Sequence, residues 1–220
     1  MSYILNIDTA IDTASICLSK NGELIEMAIN ERQRDHAAWL QPAIKNLLLT
    51  TGIGINELKA IAVSMGPGSY TGLRIGLATA KGLCYALNIP LIAIGTLQMM
   101  AVAAVDRGTD LVCPMIDARR LEVFTAIYNT ELETVLAPCA MILEENSFKD
   151  ILETRTVLFF GNGSKKYKKM AGHKNAHFET IEANASQLIK ISNKRLVLED
   201  FNSVAYTEPT YIKNFHSSVK

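Results

Sequence analysis

The chain has 220 residues, 49% hydrophobic and 20% charged, a globular profile that excludes a disordered polypeptide. Lys plus Arg (22) equals Asp plus Glu (22), so the formal net charge is zero. That balance excludes a protein that holds nucleic acid alone by bulk electrostatics, although a local basic patch stays open. No apolar run approaches the roughly 18 residues needed to span a bilayer, and Met1-Ser2-Tyr3 carries no basic residue of the kind that opens a signal peptide. A cytoplasmic protein is expected. Cys17, Cys84, Cys113 and Cys139 are widely spread, with no C-x-x-C pair, and read as reduced core thiols.

Three antiparallel strands are predicted first, over Tyr3–Asp8, Thr13–Ser19 and Glu23–Asn30, with Asn21-Gly22 as a hairpin turn. Ala37, Leu40, Ile44, Leu47 and Leu48 fall at helical spacing within Asp35–Thr51. Pro42 interrupts that helix or starts its regular part, and Gly52 and Gly54 end it. A strand over Leu58–Met65 leads through Gly66-Pro67-Gly68-Ser69 into a second helix, Tyr70–Leu87, with Ser69 as a plausible N-cap. Asn88-Ile89-Pro90 stops it, a strand follows at Leu91–Ile94, and a third helix at Thr96–Val105.

Val112–Ala118 then repeats the opening pattern, an apolar strand closing on an acid, with Asp117 standing where Asp8 stood. Strands over Glu122–Tyr128 and Leu132–Leu136 follow, then a strand at Val157–Phe160 and helices at Ser164–Met170 and Ala185–Leu198, with an extended tail at Tyr206–Lys213. The order of elements implies an α/β internal duplication, two lobes over residues 1–108 and 109–220, each a mixed sheet flanked by helices.

The stretch Gly66–Gly76 joins a strand to a helix, where backbone N–H groups and the helix dipole favour an anion. It lacks the Lys-Ser/Thr of a Walker loop, and Thr71 stands where a dinucleotide fingerprint needs glycine. From local geometry alone, a simple strand-to-helix turn that needs glycine for its φ angles is the favoured reading. Along the following helix Gly72, Gly76, Ala80, Leu83 and Leu87 share one face, while Ile75, Ala78, Gly82 and Ala86 share another. Each interior glycine costs about 1 kcal/mol relative to Ala, so this helix is expected to be pressed closely by a neighbour, from its own chain or another. Trp39 lies off the Leu40/Ile44/Leu47 stripe, and His36 has no ligand-forming partner one turn on, so no metal site is expected there. Lys165, Lys166, Lys168, Lys169 and Lys174 read as a solvated helix face. No G-x-S-x-G or H-E-x-x-H motif supports a hydrolase or peptidase.

Ile61–Gly76 closely resembles the signature of the TsaB (YeaZ) family. Ile7-Asp8-Thr9-Ala10 resembles the family's opening strand and turn, and His36–Leu48 its H-x3-L-x-P-x-I-x2-LL helix, which accounts for Pro42. Ile116–Phe124 is similar to its D-A-R-x2-E-V-[FY] strand, and Glu208–Ile212 to its closing E-P-x-Y-[LI]. The resemblance implies a duplicated fold of the actin, Hsp70 and sugar-kinase (ASKHA) type. It also implies a non-catalytic subunit in tRNA threonylcarbamoyladenosine (t6A) synthesis, without cofactor or metal, that pairs with the transferase TsaD and works with the ATPase TsaE. In that reading the chain forms a homodimer when alone and meets tRNA only through the complex.

The docking residues so implied are His36, Trp39, Leu40 and Ala43 on the first helix, and Tyr70, Thr71, Arg74, Ile75, Ala78 and Lys81 on the second. The loop Gly66, Pro67, Gly68, Ser69 is an expected place for a bridging nucleotide. The sequence departs from an active relative: Asp8-Thr9-Ala10-Ile11 lacks the glycine of a D-x-G-[ST] phosphate loop. The alternative is an actin-like ATPase or small-molecule kinase using Asp8, Asp117 and Gly66–Gly72.

Overall fold

The computed structural model describes residues 2–30 and 35–213. The chain opens with β1 (Tyr3–Asp8), β2 (Ala14–Lys20) and β3 (Glu23–Asn30), paired antiparallel. Asn21 and Gly22, with φ of 52° and 88°, form the two-residue hairpin turn whose twist suits the flanking strands. β1 and β2 are buried along almost their whole length, Asn6, Ser15 and Ser19 included, because both of their faces are covered. Then come α1 (His36–Thr51), β4 (Leu58–Ser64), α2 (Tyr70–Leu87), β5 (Leu91–Ile94) and α3 (Thr96–Val102). The repeat is β6 (Leu111–Asp117), β7 (Glu122–Asn129), β8 (Thr134–Ile142), α4 (Lys149–Leu152), β9 (Val157–Phe160), α5 (Ser164–Lys168) and β10 (Ala176–Phe178), followed by α6 (Leu188–Val197).

The first sheet has the order β3-β2-β1-β4-β5 and the second β10-β9-β6-β7-β8. Counted from the first strand of each repeat, both orders are 3-2-1-4-5. The first two pairings are antiparallel and the last two parallel in each. This is the duplicated actin, Hsp70 and sugar-kinase arrangement that the resemblance implies.

Two compact units result: Met1–Met100 with Ala183–Pro209, and Ala101–Glu182 with Thr210–Lys220. A single division after residue 108 does not describe them, because α6 returns to the first sheet. Its buried Leu188, Ile189 and Ser192 lie over β1, β4 and β5. Ser192 Oγ donates to Asn6 Oδ1 at 2.8 Å, and Arg195 donates to the Ala93 carbonyl at 2.7 Å. An amphipathic helix in a sequence does not say which sheet it will cover.

In the first unit α1 and α2 cover the opposite face, burying Leu40, Ile44, Leu47, Leu77 and Cys84 against Leu5, Ile7, Ile16 and Leu18. Gly52 ends α1 in the left-handed conformation (φ 69°), and the Gly52 and Ile53 N–H groups donate to Leu49 and Leu48 carbonyls. Pro42 stays inside the continuous helix on its exposed side. In the second unit Phe148, Phe159, Tyr167 and Phe178 form the core, with Phe159 and Tyr167 centroids 4.9 Å apart. β8 runs through Pro138 and is longer than the expected Leu132–Leu136. It lies at the sheet edge, where a missing N–H leaves no ladder bond broken. α4 and β10 have no counterpart among the expected elements, since 4 and 3 residues are too few to show a period.

Candidate partner-docking surface

The first turn of α2 is seated on the turn after β1. Ser69 Oγ caps the helix by accepting from Gly72 N at 3.2 Å. Ser69 N donates to the Ala10 carbonyl at 2.7 Å, and Thr9 Oγ1 donates to the Gly72 carbonyl at 2.7 Å. A Cβ built on Gly72 would stand 1.9 Å from the Thr9 carbonyl oxygen, on Gly68 2.3 Å from that of Ala10, and on Gly76 2.3 Å from Thr9 Oγ1. The glycines therefore answer to the chain's own β1–β2 turn. The pressing neighbour expected on the Gly72/Gly76/Ala80 face is internal.

The same contacts bear on the expected nucleotide loop. Gly66 and Pro67 are buried. Gly66 N donates to Thr96 Oγ1 and Gly66 O accepts from Thr96 N. With Ser69 N and Gly72 N also engaged and no N–H on Pro67, the Gly66 and Ser69 amides of the loop Gly66, Pro67, Gly68, Ser69 are spent on its own chain, which differs from a fully open anion cradle.

The acids of the alternative reading are engaged as well. Asp8 is fully buried, with Oδ1 accepting from Ser64 Oγ at 2.5 Å and from Ala10 N at 3.0 Å, while Oδ2 has no partner. Burial without a counter-charge pushes its carboxyl up to about 6, against the pull of those hydrogen bonds. Asp117 accepts from Lys166 Nζ and from Arg119 N, both at 2.6 Å. Partial burial raises its carboxyl, but Lys166 and the Arg119 N–H outweigh that and hold it below the ordinary value. Among the described residues no cluster of three or more His, Cys, Asp or Glu side chains could hold a metal.

The exposed strip of α2 contains Tyr70, Thr71, Arg74 and Ala78, with Ile75 half-buried. The Arg74 guanidinium lies over the Tyr70 ring at 4.1 Å. Gly82, Ala86 and Tyr85, the last 86% exposed, continue the strip beyond the residues read from sequence. Lys81 is engaged within the chain instead. Its Nζ donates to the Ala205 and Thr207 carbonyls, strapping the C-terminal segment to the helix.

On α1 the expected set is largely turned inward. Leu40 is 0% exposed, His36 and Ala43 are 7% exposed, and Trp39 is half-buried against the core. Burial lowers the His36 imidazole below its ordinary value more than the neighbouring Asp35 carboxylate raises it. Leu40 and Ala43 belong to the same stripe as Ile44 and Leu47, which the sheet claims. The outward side of α1 is instead Ala37, Ala38, Gln41, Pro42, Lys45 and Leu49. The i, i+4, i+7 stripe already contained this answer, since the side opposite a core stripe must face water. Gln41 Nε2 donates to Thr79 Oγ1 at 3.3 Å, so the outward sides of α1 and α2 adjoin. Near the end of α1 an apolar groove of about 520 Å³ opens between Ile44, Leu48, Leu49, Ile53, Ile55 and Leu83. No single residue in the sequence announces it.

No helix among the described residues is long and apolar enough to cross a membrane. Residues 24–208 match the model of the family described as TsaD, tRNA N6-adenosine threonylcarbamoyltransferase. The chain is 36% identical to the tRNA threonylcarbamoyladenosine biosynthesis protein TsaB of Bacillus subtilis, over 76% of this chain and 74% of that one. It is 30% identical to TsaB of Escherichia coli over 96% and 94%. YeaZ from Pseudomonas aeruginosa superposes with a TM-score of 0.82 at 26% identity, covering 96% of this chain and all of that one. With the signature helix, the duplicated sheets and these matches in agreement, the chain belongs to the TsaB (YeaZ) family.

Proposed function

We propose that this protein is a non-catalytic subunit in tRNA threonylcarbamoyladenosine synthesis that binds and activates TsaD, with TsaE as a further component. The observation that carries the reading is the adjoining outward sides of α1 and α2, low in relief at Ala37, Ala38, Ala78, Gly82 and Ala86. Small residues let a facing helix approach closely, and exposed apolar surface beside them favours coverage in water. A second copy of the chain covers the same faces when the partner is absent. The non-catalytic part of the reading is supported by the filled β1–β2 turn and by the engagement of Asp8 and Asp117 within their own units.

Ala78→Arg places a guanidinium in the middle of the strip, where the native side chain is exposed. Co-elution with TsaD is expected to disappear while thermal unfolding stays as in the parent. Unchanged co-elution would overturn the docking assignment. Titration of the lone protein with Mg-ATP addresses the catalytic alternative, because tight binding with turnover would favour a kinase or ATPase.

A further inference from the structure

The lysines of α5 do not stand alone in the second unit. Tyr167, 1% exposed, anchors the helix in the aromatic core, which leaves Lys165, Lys168 and Lys169 pointing to solvent. Gly163 donates its N–H to the Met115 carbonyl at 3.0 Å and packs so closely that an added Cβ would lie 3.1 Å from the Met115 and Ile116 carbonyl carbons. Asn162 Oδ1 accepts from Asp117 N at 2.8 Å. These contacts seat α5 beside the β6–β7 turn. That turn carries Arg119 and Arg120, both exposed and both left-handed, with φ of 71° and 49°.

The nearby acids are already occupied. Asp117 holds Lys166 at 2.6 Å, and Glu122 holds Lys213. Arg119, Arg120, Lys165, Lys168 and Lys169 form no ion pair among the described residues. No acidic residue occurs from Thr154 through Phe178. A neutral chain thus concentrates uncompensated cations on one edge of one unit.

We infer that this patch binds the phosphate backbone of RNA, namely the tRNA worked on by the complex. The RNA's identity rests on the proposed function; the surface itself does not. An acidic protein fits the patch less well. Protein interfaces are depleted in Lys and rely on buried aromatic or apolar anchors, and here only Leu121 offers exposed apolar surface between the cations. Phosphate contacts need cations and no anchor.

The test uses the purified complex with TsaD and an unmodified tRNA transcript, with affinity read by fluorescence anisotropy over a salt series. Co-elution is checked first. For Lys165→Glu/Lys168→Glu/Lys169→Glu, pairing with TsaD and thermal unfolding are expected to be unchanged. Its tRNA affinity is expected to fall at least about 10-fold, and the slope of log K against log salt by about 2, since each phosphate contact contributes roughly 0.7–0.9. Arg119→Ser/Arg120→Ser should lose affinity in the same direction. Lys59→Glu/Lys190→Glu/Lys194→Glu makes the same change in net charge on exposed lysines of the first unit and should leave affinity as in the parent. Equal loss in that control, unchanged affinity in the α5 variant, or displacement of tRNA by polyglutamate of matched charge would each overturn the inference. If the parent chain fails to pair with TsaD, the proposed function falls, and the same titration on the lone protein still decides the patch.

Discussion

In the first unit the third strand is followed by a helix of 16 residues and the fourth by one of 18, whereas α4 and α5 at the same places in the second unit have 4 and 5 residues. The sheets beneath share one strand order. The second unit packs large rings instead, Phe148 and Tyr167 meeting Phe159 and Phe178 of the sheet itself, each able to bury about 150–250 Å². The first unit covers its sheet with long helices whose inner sides are small or aliphatic, and it is left with two outward sides to spare. The acids closing the first strands diverge likewise: Asp8 is enclosed without a counter-charge, while Asp117 is exposed and paired with Lys166. The two sheets share one hydrogen-bonded ladder, and their cover differs: long helices on the first, short helices and large rings in the second.

If α2 is seated more tightly than α5, adding a methyl should separate them. Gly72→Ala drives a Cβ into the Thr9 carbonyl and is expected to cost about 4 kcal/mol by urea denaturation. Gly163→Ala meets Val123 Cγ1 at 2.9 Å and the Met115 and Ile116 carbonyl carbons at 3.1 Å, contacts longer than that at Gly72, and is expected to cost about 2 kcal/mol. Equal losses would remove the distinction.

The two aspartates should respond to pH in opposite directions. Asp8 has its folded value raised, so its contribution is fully present below the unfolded value near 3.8 and is lost as pH rises through about 6. Asp8→Asn should therefore gain stability over the parent between pH 4 and 7, by roughly 2–3 kcal/mol at the upper end. A gain that is flat with pH would show that the carboxyl is not held neutral.

Gly82 lies on the open side of α2 with nothing within 4 Å of an added Cβ. Gly82→Ala should stabilise by about 1 kcal/mol through helix propensity alone, and a loss would mean that this side is already covered. Asp117 has its folded value lowered, so its contribution is present above the unfolded value and is lost as pH falls through the folded one. Its side chain is 44% exposed, so Asp117→Asn should cost only about 0.5 kcal/mol near pH 7, fading in acid.

Much of the first unit was legible in order along the chain. The predicted bounds of Tyr70–Leu87 and Leu91–Ile94 coincide with α2 and β5, because caps, turns and periodicity are local signals. In the second unit α4 and β10 were not legible, since a few residues carry no period. On α1 the periodic stripe does not by itself say which of its residues a partner could reach: Leu40 and Ala43, expected outward, face the sheet instead.

By itself the sequence determined the types of its longer strands and helices and the family signature, which depend on neighbours a few positions apart, and the duplication, which is a recurrence of the same local patterns. Only the tertiary structure decided that α6 returns to the first sheet, that the α2 glycines admit the β1–β2 turn, and that two arginines join the α5 lysines. Those are meetings of residues from 49 to 186 positions apart, as between Asp117 and Lys166, Thr9 and Gly72, or Asn6 and Ser192. Such meetings depend on which surfaces can be buried together, and local propensity holds no record of that.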